Sequence, residues 1–195
     1  MASKLAAEHD FMSFDDFEEL LADKPKGEKW ELIGGRVVKL MVGARWEHGR
    51  IVQNIARLLE NAFEAGGSRC QTFAGTFYVK RADLDAMLLP DVVVVCGDLE
   101  PGATSTDEPA VIFQVLSTGT EARDRLEKWY DYQRLPSLQH YVLVARNKPH
   151  VEVFDRIAGT WSGMRVLDGL HAVLDLPAFE ASVPLAGIYR RVPGF

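Results

Sequence analysis

The chain has 195 residues and a formal net charge of −6, and 47% of its residues are hydrophobic. This length suits one domain with an ordinary core, and the negative charge argues against a uniformly basic nucleic-acid binder. The charge is uneven, because residues 1–28 hold three lysines and eight acidic residues and the remainder is close to neutral. A local basic face therefore stays compatible with the composition.

The chain shows no signal for a membrane or for secretion. No run is long or apolar enough to span a bilayer, and no apolar stretch precedes a cleavage site, so we expect a cytoplasmic protein. Cys70 and Cys96 lack the spacing of metal ligands, which favours two reduced core side chains over a disulfide or a metal site. We expect a flexible lead-in over residues 1–12 and a single domain over 13–195.

The first half of the chain begins with helix and hairpin signals. The segment "SFDDFEELLAD" predicts a short amphipathic helix with Ser13 as its cap and Asp16 at the capping-box position. The segment "KWELIGGRVVKLM" predicts a hairpin that turns at Gly34-Gly35. Apolar residues at helical spacing predict a long helix over residues 46–67, which ends at its two glycines.

The second half is dominated by strand candidates. Three are predicted at Cys70–Lys80, Leu88–Cys96 and Ala110–Ser117. A second long helix, "TEARDRLEKWYDYQRL", follows with Thr120 as its expected cap. A strand "QHYVLVAR" and a hairpin formed by "HVEVFDR" and "TWSGMRVL" come next, and the proline-containing C-terminal stretch is expected to be irregular.

The order of these elements predicts an α/β fold. The runs "VVVVC" and "AVIFQVL" are continuously apolar, which is typical of central strands that are buried on both faces. We therefore expect a mixed β-sheet flanked by helices, with added hairpins at its edges.

Two polar residues interrupt the strands that are expected to be most buried. Asp91 opens "PDVVVV", and Gln114 lies in the middle of "VIFQVL". Buried polar groups are costly unless they are paired, solvated or bound to a cation. Considered singly, Asp91 is compatible with a residue that caps a turn, and Gln114 with an amide bonded to neighbouring backbone.

The second helix adds a set of side chains that bears on these two residues. Asp124, Lys128 and Tyr132 are spaced at i, i+4 and i+8, so they share one helical stripe. Alone, this pattern is also typical of a surface ion pair with an aromatic neighbour. Because the helix follows the Gln114 strand after a tight turn, we expect Lys128 to reach the space between Asp91 and Gln114.

These motifs resemble the Uma-two family (DUF-820) of endonucleases, which belongs to the PD-(D/E)XK superfamily. The matching pieces are "PDVVVV", the strand ending in Val-Leu-Ser, and D-x-x-x-K-x-x-x-Y; "WELIGGRVV", His48 and "LPSLQHYVLV" also fit the family pattern. The resemblance covers most of the chain. It implies a restriction-endonuclease-like core, a homodimer, and an enzyme that acts on nucleic acid, with DNA as the expected substrate.

The resemblance also implies a metal site for Mg²⁺ or Mn²⁺. Asp91 would be the first ligand, Gln114 occupies the position where the family has Glu, and the carbonyl of Val115 would complete the set. Leu116 occupies the usual lysine position of the superfamily, so Lys128 is the expected replacement. An amide oxygen can bind Mg²⁺ but carries no charge. Either a weakly binding active site or a catalytically impaired binding module is therefore compatible with Gln114.

Three further residues are candidates for supporting roles. Glu31 could face the metal or be a solvated strand residue, and His48 could assist at the site or be a partly exposed helix residue. Asp124 could hold Lys128 in place. Basic side chains that could contact phosphates, or simply lie on a wet surface, are Arg123, Arg125, Arg134, Arg146 and Lys148.

Overall fold

The computed structural model describes residues 11–40, 45–117, 119 and 121–195. In chain order the strands are β1 (Lys29–Ile33), β2 (Arg36–Leu40), β3 (Gln71–Ala74), β4 (Tyr78–Arg81), β5 (Ala86–Leu88), β6 (Val92–Val95), β7 (Ser105–Thr106), β8 (Val111–Leu116), β9 (His140–Ala145), β10 (His150–Ile157), β11 (Thr160–Trp161), β12 (Arg165–Asp168), β13 (Val173–Leu176) and β14 (Ala181–Pro184). The helices are α1 (Phe14–Ala22), α2 (Trp46–Gly66), a π-helix (Arg123–Lys128) that continues into α3 (Trp129–Tyr132), and α4 (Leu185–Ile188), with 3₁₀ turns at Ala82–Leu84 and Pro177–Phe179.

The largest sheet is mixed and has seven strands among the described residues. Its order is β11-β10-β9-β8-β6-β3, with β12 also paired to β10. The β8–β9 pair is parallel, and the β6–β8 pair is antiparallel. A second sheet has the order β2-β1-β5-β4-β7, and β13 and β14 form a separate hairpin.

The seven-stranded sheet is covered on both faces, as its apolar strands predict. Every residue of β6, β8 and β9 is buried. One face packs against α2 and the C-terminal hairpin. The other face packs against the segment that carries the π-helix and α3 and against residues of the second sheet. The predicted mixed sheet flanked by helices is therefore confirmed.

The N-terminal elements also agree with prediction. Helix α1 begins after Ser13, whose Oγ accepts a hydrogen bond from the Asp16 amide and donates one to the Asp16 carboxylate. The β1–β2 hairpin turns at Gly34-Gly35, with Ile33 opposite Arg36. Helix α2 ends at Gly67, which adopts a left-handed conformation with φ of 63° that glycine accepts at little cost.

Three sequence-based assignments were wrong. The predicted strand Cys70–Lys80 is two strands, β3 and β4, which belong to different sheets. The predicted strand Leu88–Cys96 is also divided, because Leu88 ends β5 in the second sheet. The C-terminal stretch is not irregular: it forms the β13–β14 hairpin and α4, and two of its prolines lie where a ladder donor is not needed.

The second long helix forms, but not as a regular α-helix. Its first part, Arg123–Lys128, is a π-helix. Thr120, the expected cap, lies outside the described residues. Most of the predicted lead-in, residues 1–10, also lies outside them.

The two cysteines form a disulfide, which corrects the prediction that they are reduced. Cys70 precedes β3 and Cys96 follows β6, and the antiparallel register pairs Gln71 with Val95. Continuing that register by one residue places the two cysteines opposite each other, with Cα atoms 3.9 Å apart. Their separation of 26 residues in sequence conceals this pairing.

Among the described residues, no helix combines the length and apolar character that a transmembrane span requires.

Candidate functional site

Asp91 and Gln114 are neighbours on adjacent strands. The β6–β8 ladder pairs Val92 with Phe113, so the next position of the same register places Asp91 opposite Gln114. Directly opposite residues of an antiparallel pair direct their side chains to the same face. This is the face that packs against the segment bearing the π-helix and α3, since Val93 and Ile112 belong to that core cluster.

One oxygen of the Asp91 carboxylate is held by the protein. Its Oδ2 accepts a hydrogen bond of 2.8 Å from the Val115 amide and lies 3.3 Å from Nε2 of His48. His48 reaches this position from the first turn of α2. Because a strand residue exchanges its N–H and C=O with the same neighbour, the carbonyl of Val115 also faces the side of Asp91. The second oxygen, Oδ1, accepts no hydrogen bond from the described residues.

A buried charge cluster lies beside this carboxylate. Nζ of Lys128 is 2.7 Å from Oε1 of Glu31 and 3.4 Å from Oδ1 of Asp124. The side chains of Lys128, Glu31 and Asp124 are at most 5% exposed. Glu31 comes from β1 of the second sheet, and its Oε1 also accepts a hydrogen bond from the Leu89 amide. The site is therefore built from both sheets and the second long helix.

The helix that carries Lys128 is anchored from the sheet. The hydroxyl of Tyr141 in β9 donates a 2.7 Å hydrogen bond to the backbone carbonyl of Asp124. Tyr132, one turn beyond Lys128, is fully buried. The wide π-helical segment lies where Asp124 and Lys128 both turn toward the sheet, and such segments occur frequently at functional sites.

Three buried polar atoms of the site have no hydrogen-bond partner among the described residues. They are Nε2 of Gln114, Oε2 of Glu31 and the hydroxyl oxygen of Tyr132. Most buried polar groups in native structures are hydrogen-bonded. The unpaired atoms therefore indicate that a bound ligand or water completes their hydrogen bonding. Gln114 and Glu31 are 2% and 0% exposed, which makes their unpaired atoms costly without a ligand or water.

The electrostatics of the cluster favour the charged forms of Lys128 and His48. Burial lowers the pKa of Lys128, but the charges of Glu31 and Asp124 outweigh that effect and raise the pKa above its usual value. Lys128 is therefore an ammonium at neutral pH. Burial also lowers the pKa of His48, and its hydrogen bond to Asp91 outweighs this and raises the pKa above 6.5.

The oxygen donors of the site suit a hard divalent cation that is bound with modest affinity. The described residues contain no cluster of three His, Cys, Asp or Glu side chains that could hold a metal by themselves. Oxygen donors are nevertheless present in the free oxygen of Asp91, the amide of Gln114 and the carbonyl of Val115. Mg²⁺ prefers oxygen ligands and keeps several waters, so a site with few protein ligands fits it. The unpaired Oε2 of Glu31 is a further oxygen in the same cluster.

The structure brings together six side chains that were candidates from sequence, namely Glu31, His48, Asp91, Gln114, Asp124 and Lys128. Glu31 is buried, so it is not the solvated strand residue that the sequence also allowed. Lys128 contacts Glu31 and Asp124 directly rather than Asp91, although the charge of Asp91 contributes to raising its pKa. The sequence reasoning missed Leu89 and Tyr141, whose contacts depend on tertiary packing and leave no local signal.

Comparisons with known proteins identify relatives over most of the chain. The model of the Uma2 family, described as "Putative restriction endonuclease", matches residues 14–186. The chain is 29% identical over 145 residues to "Uncharacterized protein sll1609" of Synechocystis sp., which covers 72% of this chain and 79% of that protein. It is 26% identical over 140 residues to "Uncharacterized protein slr1290" of the same organism, covering 71% and 72%.

A solved structure shares the fold. It is a crystal structure from Anabaena variabilis, titled as "a putative nuclease belonging to DUF820", with a TM-score of 0.74 and 15% identity. The match covers 91% of this chain and 97% of that one. The predicted restriction-endonuclease-like α/β fold and the resemblance to this family are confirmed.

Proposed function

Because the chain belongs to the Uma2 family, we propose that it is a metal-dependent endonuclease that hydrolyses phosphodiester bonds in DNA. The observation that carries this proposal is the meeting of Asp91, Gln114 and the ammonium of Lys128 beside two further buried carboxylates. Such a group of side chains is costly to bury without a function.

The oxygens of Asp91, Gln114 and Val115 are the groups that would hold Mg²⁺ or Mn²⁺. The chemistry that such an ion supplies when bound is activation of a water molecule and stabilisation of charge on a phosphate. The contacts of Asp91 support this assignment, because Val115 and His48 fix one carboxylate oxygen and leave the other without a protein donor. His48 is thus a positioning residue for the carboxylate.

Lys128 would stabilise charge rather than transfer a proton. A general base must be unprotonated, whereas the surrounding carboxylates raise the pKa of Lys128. A fixed ammonium offsets the negative charge that develops on a phosphate during hydrolysis. Glu31 and Asp124 hold Nζ from two directions and so orient this charge.

The direct test is cleavage of supercoiled plasmid with Mg²⁺ or Mn²⁺ and, in parallel, with EDTA. We expect nicked or linear product with the metal, no product with EDTA, and loss of activity in Asp91→Asn and Lys128→Met. Asp98→Asn is the matched control, because that carboxylate is 99% exposed and should leave cleavage unchanged. Single-stranded DNA and RNA, assayed in the same way, test the assignment of duplex DNA. Cleavage that survives Asp91→Asn would overturn the assignment of the site.

A second candidate function is a non-catalytic module that binds nucleic acid or protein. It is favoured by the neutral amide of Gln114 and by the lack of a three-residue metal cluster among the described side chains. Metal binding separates the two functions. For the endonuclease, Mg²⁺ or Mn²⁺ should raise the melting temperature and Asp91→Ala should abolish the rise, whereas the binding module should show no response.

A further inference from the structure

A basic pocket adjoins the candidate site. It has a volume of about 230 Å³ and lies at the C-terminal ends of the parallel strands β8 and β9. Its lining includes Leu116 and Ser117, which follow Val115 directly, and Arg146 and Lys148 of the loop between β9 and β10. Ligands of α/β proteins bind preferentially outside the carboxyl ends of such strands.

The charges in the pocket leave two cations without counter-ions. The carboxylates that line it, Glu121 and Glu152, both bind Arg125, and Glu152 also contacts His150. Arg125 is thereby shared between the two carboxylates. Arg146 and Lys148 have no ion-pair partner in the part of the chain that the structure describes. The cations of the lining, Arg125, Arg146 and Lys148, thus outnumber its two carboxylates by one, and Arg146 and Lys148 are the two that no carboxylate of the described residues holds.

The pocket and the site are adjacent. Leu116 and Ser117, which line the pocket, follow Val115 in the chain, and the Val115 amide donates a hydrogen bond to the Asp91 carboxylate. An anion bound in the pocket would thus lie next to the end of the strand that holds this carboxylate.

We propose that this pocket binds a phosphate group of the nucleic-acid strand next to the one that is hydrolysed, through Arg146 and Lys148. The identity of the strand rests on the proposed function, whereas the binding of phosphate rests on the pocket alone. The volume is below that of pockets that hold whole small molecules, which suits a single phosphate rather than a nucleotide or cofactor. Paired cations are the groups that bind phosphate in proteins.

The first test uses inorganic phosphate and needs no catalytic activity. In wild-type protein, a titration at constant ionic strength should produce saturable shifts in the amide NMR signals of residues 145–148. The double variant Arg146→Ala/Lys148→Ala should lose them, and the charge-matched control Arg69→Ala/Lys26→Ala should retain them. Shifts that do not saturate, or that persist in the double variant, would overturn the proposal.

The second test measures binding of DNA oligonucleotides with Ca²⁺ in place of Mg²⁺ and varies the salt concentration. Because the proposal assigns one phosphate to both cations, the double variant should lower the slope of log Kd against log salt by about 1 and the control should leave it unchanged. If oligonucleotides with and without a 5′-phosphate are affected alike, the phosphate is internal; if only the phosphorylated one is affected, it is a strand end. A double variant that behaves like the control contradicts the proposal.

The two proposals can fail separately. If the protein cleaves no DNA but phosphate still binds at Arg146 and Lys148, the endonuclease proposal fails and the pocket stands. If Asp91→Asn abolishes cleavage while the double variant binds phosphate and DNA normally, the pocket proposal fails and the endonuclease stands.

Discussion

Lys128 and Glu31 form a buried ion pair between the second long helix and the second sheet, with 2.7 Å between Nζ and Oε1. The side chains are 5% and 0% exposed, so neither charge can be solvated if the other is removed. Such a pair is weak evidence for stability in itself, but its loss leaves an uncompensated buried charge. The pair therefore connects the helix to the second sheet, and it also holds the ammonium of Lys128 in the candidate site.

We predict that Lys128→Met lowers the free energy of unfolding by about 3–5 kcal/mol, because it leaves the Glu31 carboxylate buried without a counter-ion. Urea denaturation measures this directly. The double variant Lys128→Met/Glu31→Gln should lose less than the sum of the two single variants. Glu127→Gln, which breaks the exposed pair with Arg36, should cost less than about 1 kcal/mol. Equal costs for Lys128→Met and Glu127→Gln would show that the pair is not buried.

We predict that His48 titrates above pH 6.5, because Asp91 favours the imidazolium against the effect of burial. NMR titration of the ring protons gives the pKa, and Asp91→Asn should lower it. Since the pKa is raised in the folded state, the contribution to stability is complete below pH 6.5 and is lost as the pH rises through the raised value. His48→Gln should therefore be more destabilising at pH 6 than at pH 9, and an equal cost at the two pH values would contradict the raised pKa of His48.

We predict that Gln114→Glu strengthens metal binding. The new carboxylate restores a charged ligand and should increase the affinity for Mg²⁺ on the order of tenfold, with faster plasmid cleavage. Without metal it adds a fourth carboxylate next to Asp91, Glu31 and Asp124, so the melting temperature should fall and Mg²⁺ should restore it. Gln114→Met removes the oxygen without adding charge and controls for the change in packing. An affinity for Mg²⁺ that is the same in Gln114→Glu and Gln114→Met would contradict the role of position 114.

We predict that Cys70 and Cys96 resist alkylation in the native protein until a reductant is added. Mass spectrometry after treatment with iodoacetamide counts the free thiols. The disulfide closes a loop of 26 residues, so the variant Cys70→Ser/Cys96→Ser should be less stable by about 3 kcal/mol in the chain-entropy estimate. Reductant should lower the melting temperature of the wild type and leave that of the variant unchanged. Two readily alkylated thiols in the untreated protein would refute the pairing.

Local signals in the sequence predicted the elements that depend on local chemistry. Ser13 caps α1 because its hydroxyl meets the Asp16 amide, and Gly67 ends α2 because it accepts a left-handed conformation. The continuous apolar runs also predicted the central strands β6 and β8. These inferences required no knowledge of distant contacts.

Features that depend on pairing between distant segments were not predictable. The burial of Glu31 follows from the packing of the second sheet against the first, and the hairpin pattern around it is the same for a solvated residue. The disulfide follows from the β3–β6 register, which neither cysteine's neighbours specify. The C-terminal hairpin was concealed by Pro177, which opens the 3₁₀ turn between its two strands, and by Pro184, which is the last residue of β14.

Because the site is built from two sheets and a helix, it assembles only when these elements have come together during folding. Glu31, Asp91, Gln114 and Lys128 span almost 100 positions, and no two of them are neighbours in sequence. Contacts between such distant positions require the closure of long loops and form slowly. A newly synthesised or partly unfolded chain thus carries no assembled centre, so any hydrolytic activity would be restricted to molecules that have completed folding.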